Sequence, residues 1–417
     1  MKIDYKWKML GLLWVAFLLN QADRAMFGFV MPLLKEDLGL TDVQLGLVAT
    51  VFHVFYGVLA PIAGFAGDFF RRSRVIFTAI LTWSAATVLT GVSTCVTHLV
   101  LFRGASLGFG EAFYLPAANS LIGGYHEKGK GTAMAIHQTA LYFGMIGSGA
   151  VAGWLGMRFG WRSPFFLFGA LGLVWASVLF LALRDPSAPQ AASGRDAAGR
   201  IGLLQAARKV FGESRILLMG LVFGCLVFCN VGYITWIPTL LHEKFSLSLA
   251  SAGFNSMFWH VLCAIAGVMV GGRLGDMVAL RTKRGRLILL VAGFAGAMPF
   301  LILMGMSTGL VAAIAGLSLF GFFRGVCDAN FFPSLIEMIE PRYRSSCQGV
   351  VIAFGLLIGA LAPIGLGWIK GVCGLGNGLA ALSAVAAVGA VLPTVIMSFK
   401  RGIDATTWDD GPATERT

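Results

Sequence analysis

The sequence has little charge. Only 12% of its 417 residues are Asp, Glu, Lys or Arg, and 57% are hydrophobic, whereas soluble domains contain about 25% charged residues. This balance excludes an ordinary soluble enzyme. The 55 glycines follow no Gly-X-Y period and lie in no Ser- or Gln-rich run, which excludes a collagen and a disordered polymer. The composition therefore predicts a helical membrane protein.

Motifs that carry catalytic chemistry are also missing. The sequence contains no Walker motif, no Ser-His-Asp pattern and no group of His, Cys and Asp at metal-ligand spacing. Its seven cysteines include no Cys-x-x-Cys motif and mostly lie in apolar runs, so we expect no structural disulfide. We predict that the protein is not an enzyme and uses no cofactor or metal.

Long apolar runs are abundant. A membrane-spanning helix needs about 20 residues, and runs of that length predict an all-α membrane protein with about twelve transmembrane helices. The predicted spans are 8–30, 44–67, 75–93, 98–123, 132–156, 164–183, 215–240, 250–273, 287–306, 309–337, 347–369 and 376–399. The first run carries Asp23 and Arg24 and lacks a cleavage site, so we interpret it as a retained helix and not as a signal peptide. The predicted parts are a six-helix half at 1–183, a cytoplasmic linker at 184–214, a second six-helix half at 215–400 and a cytoplasmic tail at 401–417.

The basic residues between the apolar runs fall in alternate loops. Of the 32 Lys and Arg, 24 lie in loops on one side of the predicted membrane and five in loops on the other. Such an excess marks the cytoplasmic side, so we expect a multi-pass protein of the plasma (inner) membrane with both termini in the cytoplasm. The net charge of +12 then indicates topology and contact with anionic lipids, and no nucleic-acid partner.

The two halves resemble each other. The second apolar run ends in Gly64-Phe65-Ala66-Gly67-Asp68, and the eighth ends in Gly272-Arg273-Leu274-Gly275-Asp276; basic residues follow both. Two six-helix repeats with a binding site at their interface are the plan of many secondary transporters. The repeat therefore favours a transporter over a membrane receptor or scaffold.

These residues carry a family resemblance. Over nearly all of residues 5–400, the sequence resembles the major facilitator superfamily. There, a Gly-x-x-x-Asp motif and the arginines after it help to close the cytoplasmic side. Phe69 stands where the family usually has Arg, and Arg71 stands where it usually has Gly. Arg71 and Arg74 are the candidates to replace the arginine that is missing at position 69. The resemblance implies gating roles for Asp68, Arg71, Arg72, Arg74 and Asp276.

Shorter motifs narrow the resemblance. They are Asn20-Gln21-Ala22-Asp23-Arg24, Arg103 through Gly110-Glu111-Ala112 to Pro116, Gly160-Trp161-Arg162 and Trp236-Ile237-Pro238-Thr239. They resemble the anion:cation symporter branch, which includes sugar-acid and phthalate carriers, and equally the bacterial spinster-like branch, which is associated with lipids. The substrate class therefore stays open between a small organic anion and an amphiphilic lipid.

Six ionisable residues lie inside apolar runs: Asp23, Arg24, Arg103, Glu111, Arg324 and Asp328. Each costs about 2.5 to 3.5 kcal/mol at a helix centre, so we expect them to be paired or functional. We predict that Asp23 and Glu111 carry the coupled proton and that Arg24 and Arg103 bind a substrate anion. The alternatives are a fixed Asp–Arg pair and a Glu111 bonded to backbone. Arg324 and Asp328 can pair along one helix face, and for them a structural role is favoured over substrate binding.

Polar and aromatic residues in the other apolar runs complete the candidate cavity. For each of them, helix packing is the more common role. Together, the residues predict a proton-coupled symporter of a small organic anion, such as a sugar acid, that works by alternating access as a monomer among membrane lipids. The alternative is a spinster-like, proton-linked transporter of lysophospholipid or another amphiphile. The additional substrate-binding candidates are Tyr56, Tyr114, His137, Gln138, Tyr233, Trp236 and Asn330.

Overall fold

The computed structural model describes residues 4–126, 129–185, 203–282, 284–340 and 343–399, without the side chains of 64–69, 203–204 and 345. All regular elements in these ranges are helical. The predicted tail at 401–417 and most of the predicted linker at 184–214 lie outside the described residues.

Seventeen helical elements follow one another along the described chain. They are α1 (Tyr5–Leu38), α2 (Asp42–Phe69), α3 (Arg72–Gly91), α4 (Val96–Leu99), the π-helix π1 (Val100–Ser106), α5 (Leu107–Ala112), α6 (Tyr114–Tyr125), α7 (Lys130–Phe159), α8 (Arg162–Ala182), α9 (Leu203–Gly212), α10 (Ser214–Phe245), α11 (Leu249–Ala279), α12 (Gly285–Met306), α13 (Leu310–Glu337), α14 (Arg344–Gly359), α15 (Leu361–Cys373) and α16 (Leu375–Ser398).

The described residues contain ten helices that are long and apolar enough to cross a membrane. Two of the predicted spans are not among these ten. Helix α1 is long enough, but Asn20, Gln21, Asp23 and Arg24 lower its hydropathy. The predicted span at 98–123 is divided into short elements by π1. The departures from a uniform apolar span thus fall on the two segments that carry four of the six ionisable residues found inside apolar runs.

Side-chain and backbone caps fix the helix ends. The Asp4 carboxylate accepts a hydrogen bond from the backbone of Lys6 at the start of α1. The helix ends at Gly39, whose φ of 62° lies in the left-handed region that glycine adopts without strain. In the first turn of α3, the Ser73 amide donates to Asp185 Oδ1 at 3.0 Å, which satisfies one of the free amides of the helix N-terminus. The chain after α8 is therefore tied to α3.

The chain divides into two compact units. Unit 1 comprises Met1–Arg200, Ile234–Met257 and Ala360–Gly371, and unit 2 comprises Ile201–Tyr233, Phe258–Gly359 and Val372–Thr417. Unit 1 therefore contains the C-terminal end of α10, the N-terminal end of α11 and most of α15 in addition to α1–α8. The predicted division into halves at the linker stays a prediction.

Each unit has its own helix packing. In unit 1, α1 packs along α7 and α3 packs along α8, around buried Met9, Leu13, Phe17 and Trp83. In unit 2, α12 packs against both α13 and α16. Because the apolar faces meet in this way, polar residues on the same helices are brought into the interior of each unit.

Candidate functional site

Arg103 and Glu111 lie on an interrupted helix. Arg103 is in π1 (Val100–Ser106) and Glu111 is in α5 (Leu107–Ala112). A π-helical stretch carries one residue more per turn and is frequent at functional sites. The sequence predicted an uninterrupted helix at this position. The extra width changes the direction in which Arg103 points relative to residues one or two turns later.

Glycines bring this segment against its neighbours. A Cβ added at Gly108 would lie 2.7 Å from the Phe52 carbonyl oxygen, and one at Gly110 would lie 2.7 Å from the Trp83 amide. Real Cβ atoms do not approach backbone atoms so closely. The absence of a side chain at both positions therefore lets α5 touch α2 and α3, which places Glu111 inside unit 1.

Asp23 and Arg103 form a buried ion pair. Arg103 Nη1 lies 2.9 Å from Asp23 Oδ1, and each side chain is only 4% exposed. The Thr87 hydroxyl donates to the other Asp23 oxygen. Both carboxylate oxygens thus have a donor, as a buried charge requires.

Arg103 has two further acceptors. Its Nη2 donates to the backbone oxygens of Asp23 at 2.8 Å and Arg24 at 3.0 Å, and its guanidinium lies over the Phe27 ring at 5.6 Å. The structure therefore brings two predicted site residues together in the geometry of the fixed ion pair considered above. Thr87 and Phe27 were missed, because no sequence signal separates them from the other Thr and Phe residues of apolar helices.

Glu111 is buried without a hydrogen bond. The residue is 3% exposed, and neither of its carboxylate oxygens has a hydrogen-bond partner among the described residues. The Asn20 side chain lies close enough to interact with the Glu111 carboxylate, but the two groups lack hydrogen-bond geometry, and Asn20 Nδ2 is likewise unpartnered. Asn20 Oδ1 accepts a hydrogen bond from Gln21 Nε2 at 2.8 Å. A buried, unsatisfied carboxylate is costly, and binding a proton removes its charge.

Arg24 is held by aromatic rings. Its guanidinium lies 4.7 Å from the Tyr56 ring centroid and 5.1 Å from that of Phe52, which is cation–π geometry. It interacts electrostatically with Glu111, but no described carboxylate lies within the 4.0 Å of an ion pair. Half-buried Arg24 is therefore a positioned cation with capacity for an anion.

Two other candidates of unit 1 lie in its core. The Tyr114 hydroxyl donates to the Leu13 carbonyl oxygen at 2.7 Å and lies 3.2 Å from His137 Nε2. Phe17 stacks on His137 with ring centroids 4.7 Å apart. These contacts join α1, α6 and α7. Gln138, by contrast, is exposed.

Three further candidates contact neighbouring helices, one by ring stacking and two by hydrogen bonds. Tyr233 stacks on His260 with centroids 4.3 Å apart. Trp236 Nε1 donates to the Pro363 carbonyl oxygen at 3.0 Å, and Asn330 Nδ2 donates to the Gly271 carbonyl oxygen at 2.9 Å. All three candidates are buried. Their proposed contact with substrate stays a prediction.

The second predicted pair lies in unit 2. Arg324 Nη2 is 3.2 Å from Asp328 Oδ2, and the two side chains are 25% and 39% exposed. Arg324 Nη1 also lies 3.4 Å from His260 Nε2. This pair is thus far more open than that of Asp23 and Arg103.

The predicted gating residues fall at helix ends. The Asp68 side chain lies outside the described residues. Arg72 Nη1 donates to the Ser120 carbonyl oxygen at 3.3 Å, while Arg71 and Arg74 are exposed at the start of α3. In unit 2, Asp276 Oδ1 lies 2.6 Å from Arg286 Nη2. The gating role stays a prediction.

Known proteins resemble the chain over nearly its full length. Residues 13–363 match the Major Facilitator Superfamily. A probable sulfoacetate transporter of Cupriavidus necator is 27% identical over 88% of this chain and 88% of its own length. A probable galactarate/D-glucarate transporter of Bacillus subtilis is 25% identical over 95% and 92%, and a hexuronate transporter of the same organism is 22% identical over 92% and 94%.

Solved structures show the same fold. A bacterial homologue of the human lysosomal transporter Spinster superposes with a TM-score of 0.82 at 21% identity, covering 95% of this chain and 98% of that chain. A D-xylose–proton symporter gives a TM-score of 0.75 at 12% identity, with 95% and 98% coverage. The predicted family resemblance and the all-α membrane fold are confirmed.

Proposed function

The chain belongs to the Major Facilitator Superfamily, and we propose that it is a symporter that couples a small organic anion to a proton by alternating access. Its family and its relatives are transporters and not enzymes, and its apolar helices are those of an integral, multi-pass membrane protein. The coupling ion, the substrate and the role of each residue are parts of the proposal.

The juxtaposition of Arg24 and Glu111 carries the proposal. Arg24 is a positioned cation without a carboxylate partner, and Glu111 is a buried carboxyl without a hydrogen bond. In the empty state, an ionised Glu111 compensates the charge of Arg24. When a substrate carboxylate binds Arg24, a proton on Glu111 restores the same net charge. Since unbalanced charge is costly at this depth, the anion and the proton favour each other's binding.

The buried Asp23–Arg103 pair gives the site a second carboxylate. Its proton affinity depends on whether Arg103 keeps its contact at 2.9 Å, because a nearby cation favours the ionised form. A conformational change that moved Arg103 away from Asp23 would favour protonation of Asp23. We therefore propose that Asp23 and Glu111 share the coupled proton, with Arg24 as the first contact of the substrate.

An organic anion is the better supported substrate class. The relatives named above are a probable sulfoacetate transporter, a probable galactarate/D-glucarate transporter and a hexuronate transporter, and Arg24 offers the charge that such anions require. The spinster-like alternative is supported by the structural neighbour. Because that neighbour is only 21% identical, the likeness shows a shared fold and no shared substrate. Because the phosphate of a lysophospholipid would also suit Arg24, the preference for a small organic anion rests on the relatives and not on Arg24 alone.

Uptake into proteoliposomes under an imposed pH gradient tests the proposal. We expect wild type to accumulate a sugar acid such as galactarate or galactonate. Glu111→Gln and Asp23→Asn should lose gradient-driven accumulation and keep exchange between internal and external substrate, whereas Arg24→Gln should lose both. Glu36→Gln is the matched control, because it removes an exposed carboxylate from the same helix, α1.

Three outcomes contradict the proposal. Accumulation by Glu111→Gln and Asp23→Asn at the wild-type level would remove the coupling role of these carboxylates. Unchanged uptake by Arg24→Gln would remove the substrate contact. Binding of lysophospholipid with no binding of any sugar acid would favour the spinster-like alternative.

A further inference from the structure

Arg324 and Asp328 lie near the middle of α13, a helix long and apolar enough to cross a membrane. Their side chains are 25% and 39% exposed. Charged residues in membrane-spanning helices almost always face the protein interior or a water-filled space, because exposure to hydrocarbon is costly. The pair is therefore expected to face water.

The contact between the two residues is weak. It consists of one distance of 3.2 Å between Arg324 Nη2 and Asp328 Oδ2, not the two parallel bonds of a bidentate pair. Partly exposed ion pairs contribute little to stability, and an arginine four residues before its acid has the less favourable orientation on a helix. Since both residues are on α13, their pairing joins no two helices.

A histidine contacts the other terminal nitrogen of Arg324. His260 Nδ1 lies 3.3 Å from the Leu317 carbonyl oxygen. Because a carbonyl oxygen only accepts hydrogen bonds, this contact requires the tautomer with the proton on Nδ1. Nε2 then presents its lone pair to Arg324 Nη1 at 3.4 Å. The imidazole is itself fixed by its stack on Tyr233. Arg324 is thus oriented even when Asp328 is not bound to it.

We propose that Arg324 is a second anion-binding subsite, where the carboxylate of a small molecule replaces Asp328. A planar guanidinium forms two parallel hydrogen bonds with a free carboxylate, whereas Asp328 supplies one. Arg103 is unsuited to such an exchange, because it is 4% exposed and already has three acceptors. This inference rests on the proposed function only in taking the ligand to be an organic anion.

The direction of approach follows from the surroundings of Arg324. The cavity that it lines in unit 2 has a volume of about 10 Å³ and is otherwise bordered by apolar groups and thiols such as Phe294, Phe320 and Cys327. That volume is about enough for one water molecule. A carboxylate must therefore reach Arg324 from its exposed side, where Asp328 lies.

The first test compares the affinities of full-length protein for galactarate and galactonate, measured by calorimetric titration. Asp328→Asn removes the competing carboxylate and keeps Arg324, so we expect roughly two- to fivefold tighter binding, in line with the modest strength of an exposed pair. The gain should vanish in Asp328→Asn/Arg324→Gln. Glu213→Gln is the matched control, because it breaks another pair of i,i+4 spacing in unit 2, with Lys209.

The second test measures the accessibility of the arginines, first in wild type. Phenylglyoxal modifies accessible arginines, and peptide mass spectrometry identifies them. We expect Arg324 to react and to be protected by galactarate, galactonate or sulfoacetate, and buried Arg103 to remain unmodified. Protection of Arg324 should persist in Arg24→Gln, since the two arginines belong to different units.

Two results would overturn the inference: affinities of Asp328→Asn that match wild type, or modification of Arg324 that none of the three anions reduces. Either leaves the proposed function intact, because that is judged by pH-driven uptake in the Glu111 and Arg24 variants. Conversely, loss of coupling in Glu111→Gln says nothing about exchange at Arg324.

Discussion

The carboxylate of Asp23 and the guanidinium of Arg103 lie 2.9 Å apart with 4% of each side chain exposed. The two residues are on α1 and π1, 80 positions apart in the chain. Because both are buried, neither loses its partner without leaving an uncompensated charge. The pair therefore fixes the position of π1 relative to α1, and with it the place of Glu111.

Removal of Arg103 should strongly destabilise the protein. Arg103→Met leaves Asp23 as an unpaired buried charge, which costs about 3 to 5 kcal/mol, and the free energy of unfolding in detergent measures the loss. The double variant Asp23→Asn/Arg103→Met should recover part of it. Arg286→Met, which breaks exposed pairs with Asp276 and Glu337, should cost much less. Equal losses for both arginines would contradict this reading.

Asp42 should hold the ends of four helices of unit 1 together. Its carboxylate lies 2.8 Å from Lys35 Nζ and 3.1 Å from Lys370 Nζ, and Lys370 also lies 2.7 Å from Glu243. These contacts join the ends of α1 and α2 to α10 and α15. We expect Asp42→Asn to weaken the contacts with Lys35 and Lys370, so that the helix ends separate more easily.

Cysteine labelling measures the effect of Asp42→Asn. Thr50 lies about two turns after Asp42 on α2, is buried and accepts a hydrogen bond from the Ile364 amide. In a background where exposed Cys95 and Cys373 are serine, Thr50→Cys should react several-fold faster with an impermeant maleimide once Asp42 is Asn. Asp37→Asn serves as the control, and equal rates for all three proteins would refute the prediction.

Two glycines of α7 should respond differently to alanine. A Cβ at Gly149 would lie 2.6 Å from the carbonyl carbon of Gly253, whereas one at Gly147 meets nothing within 4 Å. Overpacking of a close contact costs about 1 to 3 kcal/mol, so Gly149→Ala should lower the melting temperature. Gly147→Ala should leave it unchanged or raise it, since alanine favours helix. The same response at both positions would exclude a close crossing of α7 and α11.

The contact of Asp37 with Trp161 should be sensitive to acid. Hydrogen bonds from Trp161 at 2.8 Å and from Arg162 at 2.7 Å hold the pKa of Asp37 below its usual 3.8. A lowered pKa stabilises the folded state above the unfolded pKa, and this stabilisation disappears as the pH falls through the folded value. A change in tryptophan fluorescence below pH 3.8 should be present in wild type and absent in Asp37→Asn. Identical acid titrations would contradict it.

Much of the fold was predictable because the formation of a membrane-spanning helix depends on the residues of that segment alone. Apolar runs long enough to span hydrocarbon predict helices, and their boundaries came out close: the run at 75–93 became α3 (Arg72–Gly91), and the run at 376–399 became α16 (Leu375–Ser398). The predicted 8–30 was too short, since α1 continues to Leu38. Polar residues extend a helix beyond the membrane without interrupting its hydrogen bonds, and a search for apolar runs overlooks them.

The residue types of the site were also foreseeable, while their partners were not. Charges at Asp23, Arg103 and Glu111 stand out against an apolar sequence because each is costly in hydrocarbon, and this cost depends on composition alone. The choice of partner depends on distance. Arg24 follows Asp23 directly in the chain, but neighbouring side chains on a helix point about 100° apart. Asp23 therefore pairs with Arg103, which glycine contacts between helices and a π-helical turn bring to it. Arg24 is left beside the Phe52 and Tyr56 rings, where we propose that it binds an anion.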